Sequence, residues 1–198
     1  MDIFEAMETC RAMRYLRPDP VPDELIDKLL WAATRAPSPG NSQGWEFVVV
    51  RDRDVMSQIG ELVGGRMTAS MGGLVDTLPP SQARLLRGAL HLANTLPQVP
   101  ALFVVCSRRV YPPQDPQEVF VWSCVYPAAQ NLILAARALG LGSTFATWQT
   151  VAETELREIL GIPEDVFIGA TIPVGYPERD FGPVARRPVA EVVHHDHW

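Results

Sequence analysis

The chain has 198 residues, 47% of them hydrophobic, with 18 prolines, 14 glycines and a formal net charge of −6. That length and apolar content suit one compact domain over residues 1–198, and the prolines and glycines are spread among apolar segments, which excludes a disordered chain. The acidic balance, with no basic block longer than two residues, excludes a nucleic-acid-binding surface of the usual clustered kind.

The N-terminus, Met1-Asp2-Ile3-Phe4-Glu5, has neither a basic region nor a long apolar core, so no signal peptide is expected. Ile3, Phe4, Met7 and Cys10 recur at helical spacing behind Asp2, whose carboxylate suits an N-cap. This helix should stop near Arg11, because Tyr15-Leu16-Arg17-Pro18 requires an extended path. A second helix opens at Pro22-Asp23-Glu24, with proline early and acids in the first turn. Its apolar face is Leu25, Ile26, Leu29, Leu30 and Ala33, and Pro37 ends it. Trp45–Val50 reads as a strand, and its continuous apolar run predicts a central place in the sheet.

Residues 54–63 predict a short helix. Residues 64–80 are glycine-rich with weak periodicity and read as a mobile lid or a broken helix. A helix over 81–95 and a buried strand over 101–106 follow, then a proline-rich loop around Tyr111-Pro112-Pro113. Residues 117–139 form a long helix, apolar almost all round and therefore buried, with Pro127 kinking it. Gly140-Leu141-Gly142 stops that helix. A short strand over 143–147, a helix over 154–160 and a strand over 167–174 complete the pattern, and the last twenty residues run as an extended arm. Buried strands wrapped by more helical residues make an α+β fold. No apolar run reaches the ~18 residues of a bilayer span, so no membrane contact is expected. Cys10, Cys106 and Cys124 are odd in number and scattered, as reduced thiols of a cytoplasmic protein are.

The loop Ala36-Pro37-Ser38-Pro39-Gly40-Asn41-Ser42-Gln43-Gly44-Trp45 carries no formal charge and leads into a stiff strand. Asn41 and Gln43 each donate and accept hydrogen bonds, which suits the polar edge of a flat, uncharged heterocycle, although the same residues also serve ordinary turns. Upstream, Arg11 and Arg14 are three apart, and two guanidinium forks can hold a phosphate dianion between them. Arg186-Arg187 supplies a second pair in the arm. Together these features point to a phosphorylated aromatic cofactor. No glycine-rich dinucleotide fingerprint or Walker loop is present. No serine or cysteine stands in a nucleophile elbow, and His91, the sole histidine outside the tail, lies in a helical pattern. The tail His194-His195-Asp196-His197 is too free to fix a metal's geometry. An enzyme of this composition leaves the chemistry to its cofactor.

In order along the chain, these elements resemble the FMN-dependent nitroreductase superfamily. Cys10-Arg11-Ala12-Met13-Arg14-Tyr15-Leu16 is similar to its phosphate element, and residues 36–45 are similar to its alanine-proline-serine…asparagine-x-glutamine-proline-tryptophan loop. Gln130 to Gly142 looks like its central helix. Ile172-Pro173-Val174-Gly175-Tyr176-Pro177 and Arg186-Arg187-Pro188-Val189 look like its closing strand and arm. The resemblance implies a mostly antiparallel central sheet surrounded by helices, in a homodimer that exchanges extended C-terminal arms and holds FMN at the subunit interface. It places Arg11, Ala12 and Arg14 at the phosphate and ribityl end, with Arg186 adding a phosphate contact. It places Pro37, Ser38, Asn41 and Gln43 along the isoalloxazine, some of them reaching the partner's flavin, and Phe145, Ala146 and Thr147 near the ring's N5 and pyrimidine side. NADH or NADPH would be the electron donor. The acceptor would be a small molecule such as a nitroaromatic or quinone. Reductive dehalogenation, flavin destruction and plain flavin sequestration remain alternatives on the same fold. The chain departs from the pattern at Ala12, where a serine is usual, and at Gly44, where a proline is usual. It also has no lysine for the flavin N1–O2 edge, since Lys28 lies mid-helix.

Overall fold

A computed structural model describes residues 1–198. Six α-helices and four strands appear in the order α1 (Ile3–Thr9), α2 (Asp23–Ala33), β1 (Trp45–Val50), α3 (Arg53–Met71), α4 (Pro80–Asn94), β2 (Ala101–Arg108), α5 (Glu118–Ala138), β3 (Gly142–Ser143), α6 (Gln149–Leu160) and β4 (Val166–Gly175). The sheet is antiparallel throughout, in the order β1-β2-β4-β3.

The period of two along β2 explains the layers. Ala101, Phe103 and Val105 face α2 and α5, together with Ile26, Leu29, Val125, Ala129 and Leu132. Leu102, Val104 and Cys106 face α3, α4 and α6, together with Met56, Ile59, Leu92 and Leu156. Both faces of the sheet are therefore dry, which is why β2 reads as an unbroken apolar run. The Cys106 thiol, buried there, is pushed up to about 12 by desolvation and stays neutral.

β4 changes faces midway. Val166 and Ile168 belong to the α3/α4/α6 side, whereas Ala170, Ile172 and Val174 belong to the α2/α5 side. Residues two apart should share a face, so one residue must be extra. Val105 pairs with Ala170 while Cys106 pairs with Ile168, which leaves Gly169 as a β-bulge. A Cβ built at Gly169 would lie 2.2 Å from Val125 Cγ1, so the bulge also lets α5 press against the sheet.

Several expectations need correction. β1 is an edge strand, not a central one, and most of its residues are half-buried. Its apolar run serves two helical layers and not two flanking strands. The glycine-rich stretch after Val63 is helical as far as Met71. A Cβ at Gly64 would meet Asn94 Oδ1 at 2.8 Å, so that glycine marks a tight crossing of α3 over α4, and the break in the helix comes only after Met71. α5 is buried along one side only, with Val119 and Tyr126 exposed on the other. By length and composition α5 would also suit a bilayer span, but here its apolar face closes on the sheet. α6 starts earlier than expected, at Gln149.

The Asp52 carboxylate accepts from the backbone N–H of Asp54 at 2.9 Å and Val55 at 3.0 Å, capping the longest helix on its side. Asp52→Ala should cost about 1 kcal/mol of stability, read as a lowered midpoint in urea with an unchanged slope. A slope change would mean that α3 frays on its own.

Candidate functional site

α1 is capped by Asp2, whose Oδ1 accepts from Glu5 N–H at 2.9 Å, and it ends at Thr9. Cys10 is already extended, so residues 11–14 leave the helix and run beside β3. Ala12 bridges Ser143 in parallel, Met13 N–H donates to Ser143 carbonyl at 2.9 Å, and Thr144 Oγ1 donates to Met13 carbonyl at 2.8 Å. Arg11 and Arg14 are consequently not neighbours on one helical face. They enter two adjoining cavities.

The first cavity, about 270 Å³, is lined by Cys10, Arg11, Ala12, Gln130, Ser143 and Arg186 among others. The second, about 230 Å³, takes Arg14, Thr144, Ala146 and Thr147, with an apolar wall that includes Met67 and Leu92. Phe145, 40% exposed, borders both. No carboxylate lines either cavity. Arg11, Arg14 and Arg186 join none of the eight ion pairs in the chain, although Arg66, Arg108 and Arg157 all do. Three guanidinium groups without carboxylate partners, beside acid-free cavities, fit an anionic ligand. Burial lowers the Arg14 pKa, and the charge of Arg11 lowers it further. Burial raises the Cys10 thiol, against the opposing pull of Arg137 and Arg186, so Cys10 is a neutral wall of the first cavity.

The arm brings Arg186 to this place from the far end of the sequence. Glu178 N–H donates to Tyr15 carbonyl at 3.0 Å, and Val184 N–H donates to Glu8 carbonyl at 2.8 Å. Through Val184 the arm is thus bonded to the N-terminal segment of the same chain.

The uncharged loop sits elsewhere. Pro37, Ser38, Asn41 and Gln43 line neither cavity. The loop lies at the Trp45 end of β1, where Gly44 carbonyl accepts from Arg108 N–H at 3.0 Å. Its shape is fixed: Gly40, Asn41 and Gln43 have φ of 58°, 52° and 49°. Ser38 Oγ accepts from Gln43 N–H at 3.0 Å, and Tyr111 packs so closely on Gly40 that a Cβ there would meet its ring at 2.2 Å. Ser38 thus braces the turn as an acceptor, and its hydroxyl hydrogen stays free to donate. Asn41 and Gln43 are exposed and free to bind something outside the chain.

Sequence reasoning missed two kinds of residue. Gln130 and Ser143 line the first cavity, and Met67, Met71, Ala89, Leu92 and Val151 wall the second. Nothing in their local pattern separates them from core residues. Only the folded arrangement brings them to cavities, Gln130 and Ser143 from α5 and β3, the others from α3, α4 and α6.

The chain is thus a three-layer α+β fold with two adjoining, arginine-lined cavities beside a short edge strand. Residues 8–176 match the nitroreductase family, and the chain belongs to it. Over its full length it is 32% identical to a protein of Archaeoglobus fulgidus named provisionally as an NADH dehydrogenase/NAD(P)H nitroreductase, covering 99% of that protein. It is 26% identical to rat iodotyrosine deiodinase 1 over 90% of this chain and 63% of the relative. Among solved structures, iodotyrosine deiodinase bound to FMN and 3-iodo-L-tyrosine shares the fold with a TM-score of 0.79 at 22% identity, each chain covered completely.

Proposed function

We propose that this chain is an FMN-dependent oxidoreductase that takes reducing equivalents from NADH or NADPH and delivers them to an electron-poor small molecule, such as a nitroaromatic or a quinone. The observation that carries this reading is the convergence of Arg11, Arg14 and Arg186, all without carboxylate partners, on two adjoining acid-free cavities. When bound, FMN would supply the chemistry by accepting a hydride from the nicotinamide and passing electrons on to the acceptor.

The chain's own residues would bind and orient it. Arg11 and Arg186 hold the phosphate in the first cavity, against the backbone of Ala12, which itself offers no hydroxyl, and beside Ser143. Phe145, Ala146 and Thr147 flank the ring in the second cavity. Arg14 is the only cation there, so it supplies the positive charge that the family usually takes from a lysine. Met67, Leu92 and Val151 exclude water from the same space.

Pro37, Ser38, Asn41 and Gln43 complete the site from a second copy in a homodimer. Two features support that assembly. The Asn41 and Gln43 side chains make no hydrogen bond within the chain, and an uncovered apolar face formed by Ile3, Phe4, Met7 and Trp31, each at least half exposed, would be buried by a partner. A cytoplasmic location suits the three free thiols.

The purified protein should be yellow, and NADH or NADPH added without oxygen should bleach it. Adding a nitroaromatic should restore the colour. Flavin that neither donor bleaches would overturn the reading in favour of sequestration. The likeness to iodotyrosine deiodinase favours one second reading, reductive dehalogenation. Reoxidation by an iodophenol, with release of iodide and no response to the nitroaromatic, would select it.

A further inference from the structure

Arg186 is exposed, and its only hydrogen bond within the chain is to the carbonyl of its neighbour Ala185, at 2.9 Å. Nothing on its own side chain fixes it at the first cavity. Its position comes from residues 178–185, which precede it. Arg179 stacks over Tyr15 at 4.5 Å, and Tyr15 in turn stacks on His91 of α4 at 4.2 Å, which ties the start of the arm to the helical layer. Phe181 lies against the Arg137 guanidinium at 4.0 Å, the shortest of the five cation–π contacts in the chain. Gly182 then passes Arg11, where a Cβ would meet Nη1 at 3.6 Å, and Val184 N–H reaches Glu8 carbonyl.

Arg137 is itself held from two directions. Its Nε donates to Thr9 Oγ1 at 2.8 Å while Phe181 covers its face. A planar guanidinium can donate at its edge and stack on its face at once, which an ammonium cannot. Its place in the last turn of α5 also suits a positive charge. It makes no ion pair and lines neither cavity, so neither an anion nor a carboxylate accounts for it.

We infer that residues 178–186 form a clasp, and that Phe181 and Arg137 are positioning residues that hold Arg186 at the phosphate. This rests on the proposed FMN site. The clasp lowers the cost of ordering Arg186 when the anion arrives, because the arm is already docked. Its effect is confined to ligands that carry a phosphate.

The test titrates the full-length protein with FMN and with riboflavin, which lacks the phosphate, following flavin fluorescence. Phe181→Ala should raise the FMN dissociation constant on the order of tenfold, as expected when one charge-assisted contact is lost. Riboflavin affinity should barely move. Phe181→Trp, which keeps an aromatic face, should restore the preference for FMN. Adding Arg186→Ala to Phe181→Ala should bring no further loss, because both act through one contact. An undiminished FMN preference in Phe181→Ala, alongside a reduced one in Arg186→Ala, would overturn the clasp. So would an equal loss of both flavins in Phe181→Ala with a lower melting temperature, which marks a merely structural role. If the unaltered protein binds neither flavin, or binds both alike, the FMN reading itself fails.

Discussion

Arg11→Ala should raise the dissociation constant for FMN by about 10–100-fold, the range expected for a lost hydrogen bond to a charged group. Riboflavin binding should be almost unaffected, because Arg11 lines the cavity assigned to the phosphate. Arg14→Ala should weaken both flavins, because Arg14 enters the other cavity, beside Thr144–Thr147. The Arg11 effect should also shrink as salt is added, since Arg11 is exposed and its attraction for a dianion is screened. Titrations of the two variants with the two ligands at low and high ionic strength decide the matter. Equal losses for FMN and riboflavin in Arg11→Ala would show that the phosphate lies elsewhere. The pair of variants also tests the separation of the two arginines into neighbouring cavities, which their three-residue spacing in sequence does not suggest.

Gly169→Ala should be a costly addition of a single methyl group. The added Cβ would sit 2.2 Å from Val125 Cγ1, in a layer where Val125 and Ala170 are both fully buried. Neither partner can swing into solvent, so either α5 must lift or β4 must shift. Overpacking of this kind costs about 1–3 kcal/mol or more, measurable as a lower midpoint of urea unfolding. Val125→Ala alone leaves a void and should cost about 2 kcal/mol by removing two buried methyl groups. Combined, the two substitutions should cost clearly less than their sum, because the void accepts the new methyl. Strict additivity would mean that the bulge, and not the contact with α5, is what requires glycine.

Much of the fold is legible in the sequence, and the failures have physical causes. The helix from Asp23, the strands around Val104 and Ile172, and the long helix through Leu132 follow from period and capping, because each presents one continuous apolar face. β1 was expected to be central because its run Phe47-Val48-Val49-Val50 is unbroken. Helices on both faces produce that same run at an edge, and periodicity cannot tell a strand neighbour from a helix above. Gly64 and Gly65 looked like breakers, since glycine is the poorest helix former after proline. A helix crossing that admits no side chain outweighs that propensity at Gly64, and the Asn94 it meets lies outside any local window of sequence.

The site was legible by residue type more than by arrangement. Arg11, Arg14 and Arg186 stand out as arginines able to grip a phosphate, and all three line the two cavities. Their grouping does not follow from sequence, because it depends on where α1 ends and on the path of the arm. The loop from Pro37 to Gln43 was expected along the same ring as Phe145, yet within one chain it lies at the other end of β1. Its backbone at Gly40, Asn41 and Gln43 does bear out the reading of a stiff, unusual turn.

The first cavity draws on residues 10–12, 130, 143 and 186. Contacts so distant along the chain are slow to form, because their loop-closure cost comes before any reward. The sheet is complete at Gly175, and beyond it only Tyr176 and Phe181 pack against the two cores. A chain ending before residue 186 would keep the sheet and both helical layers yet lack one wall of the first cavity.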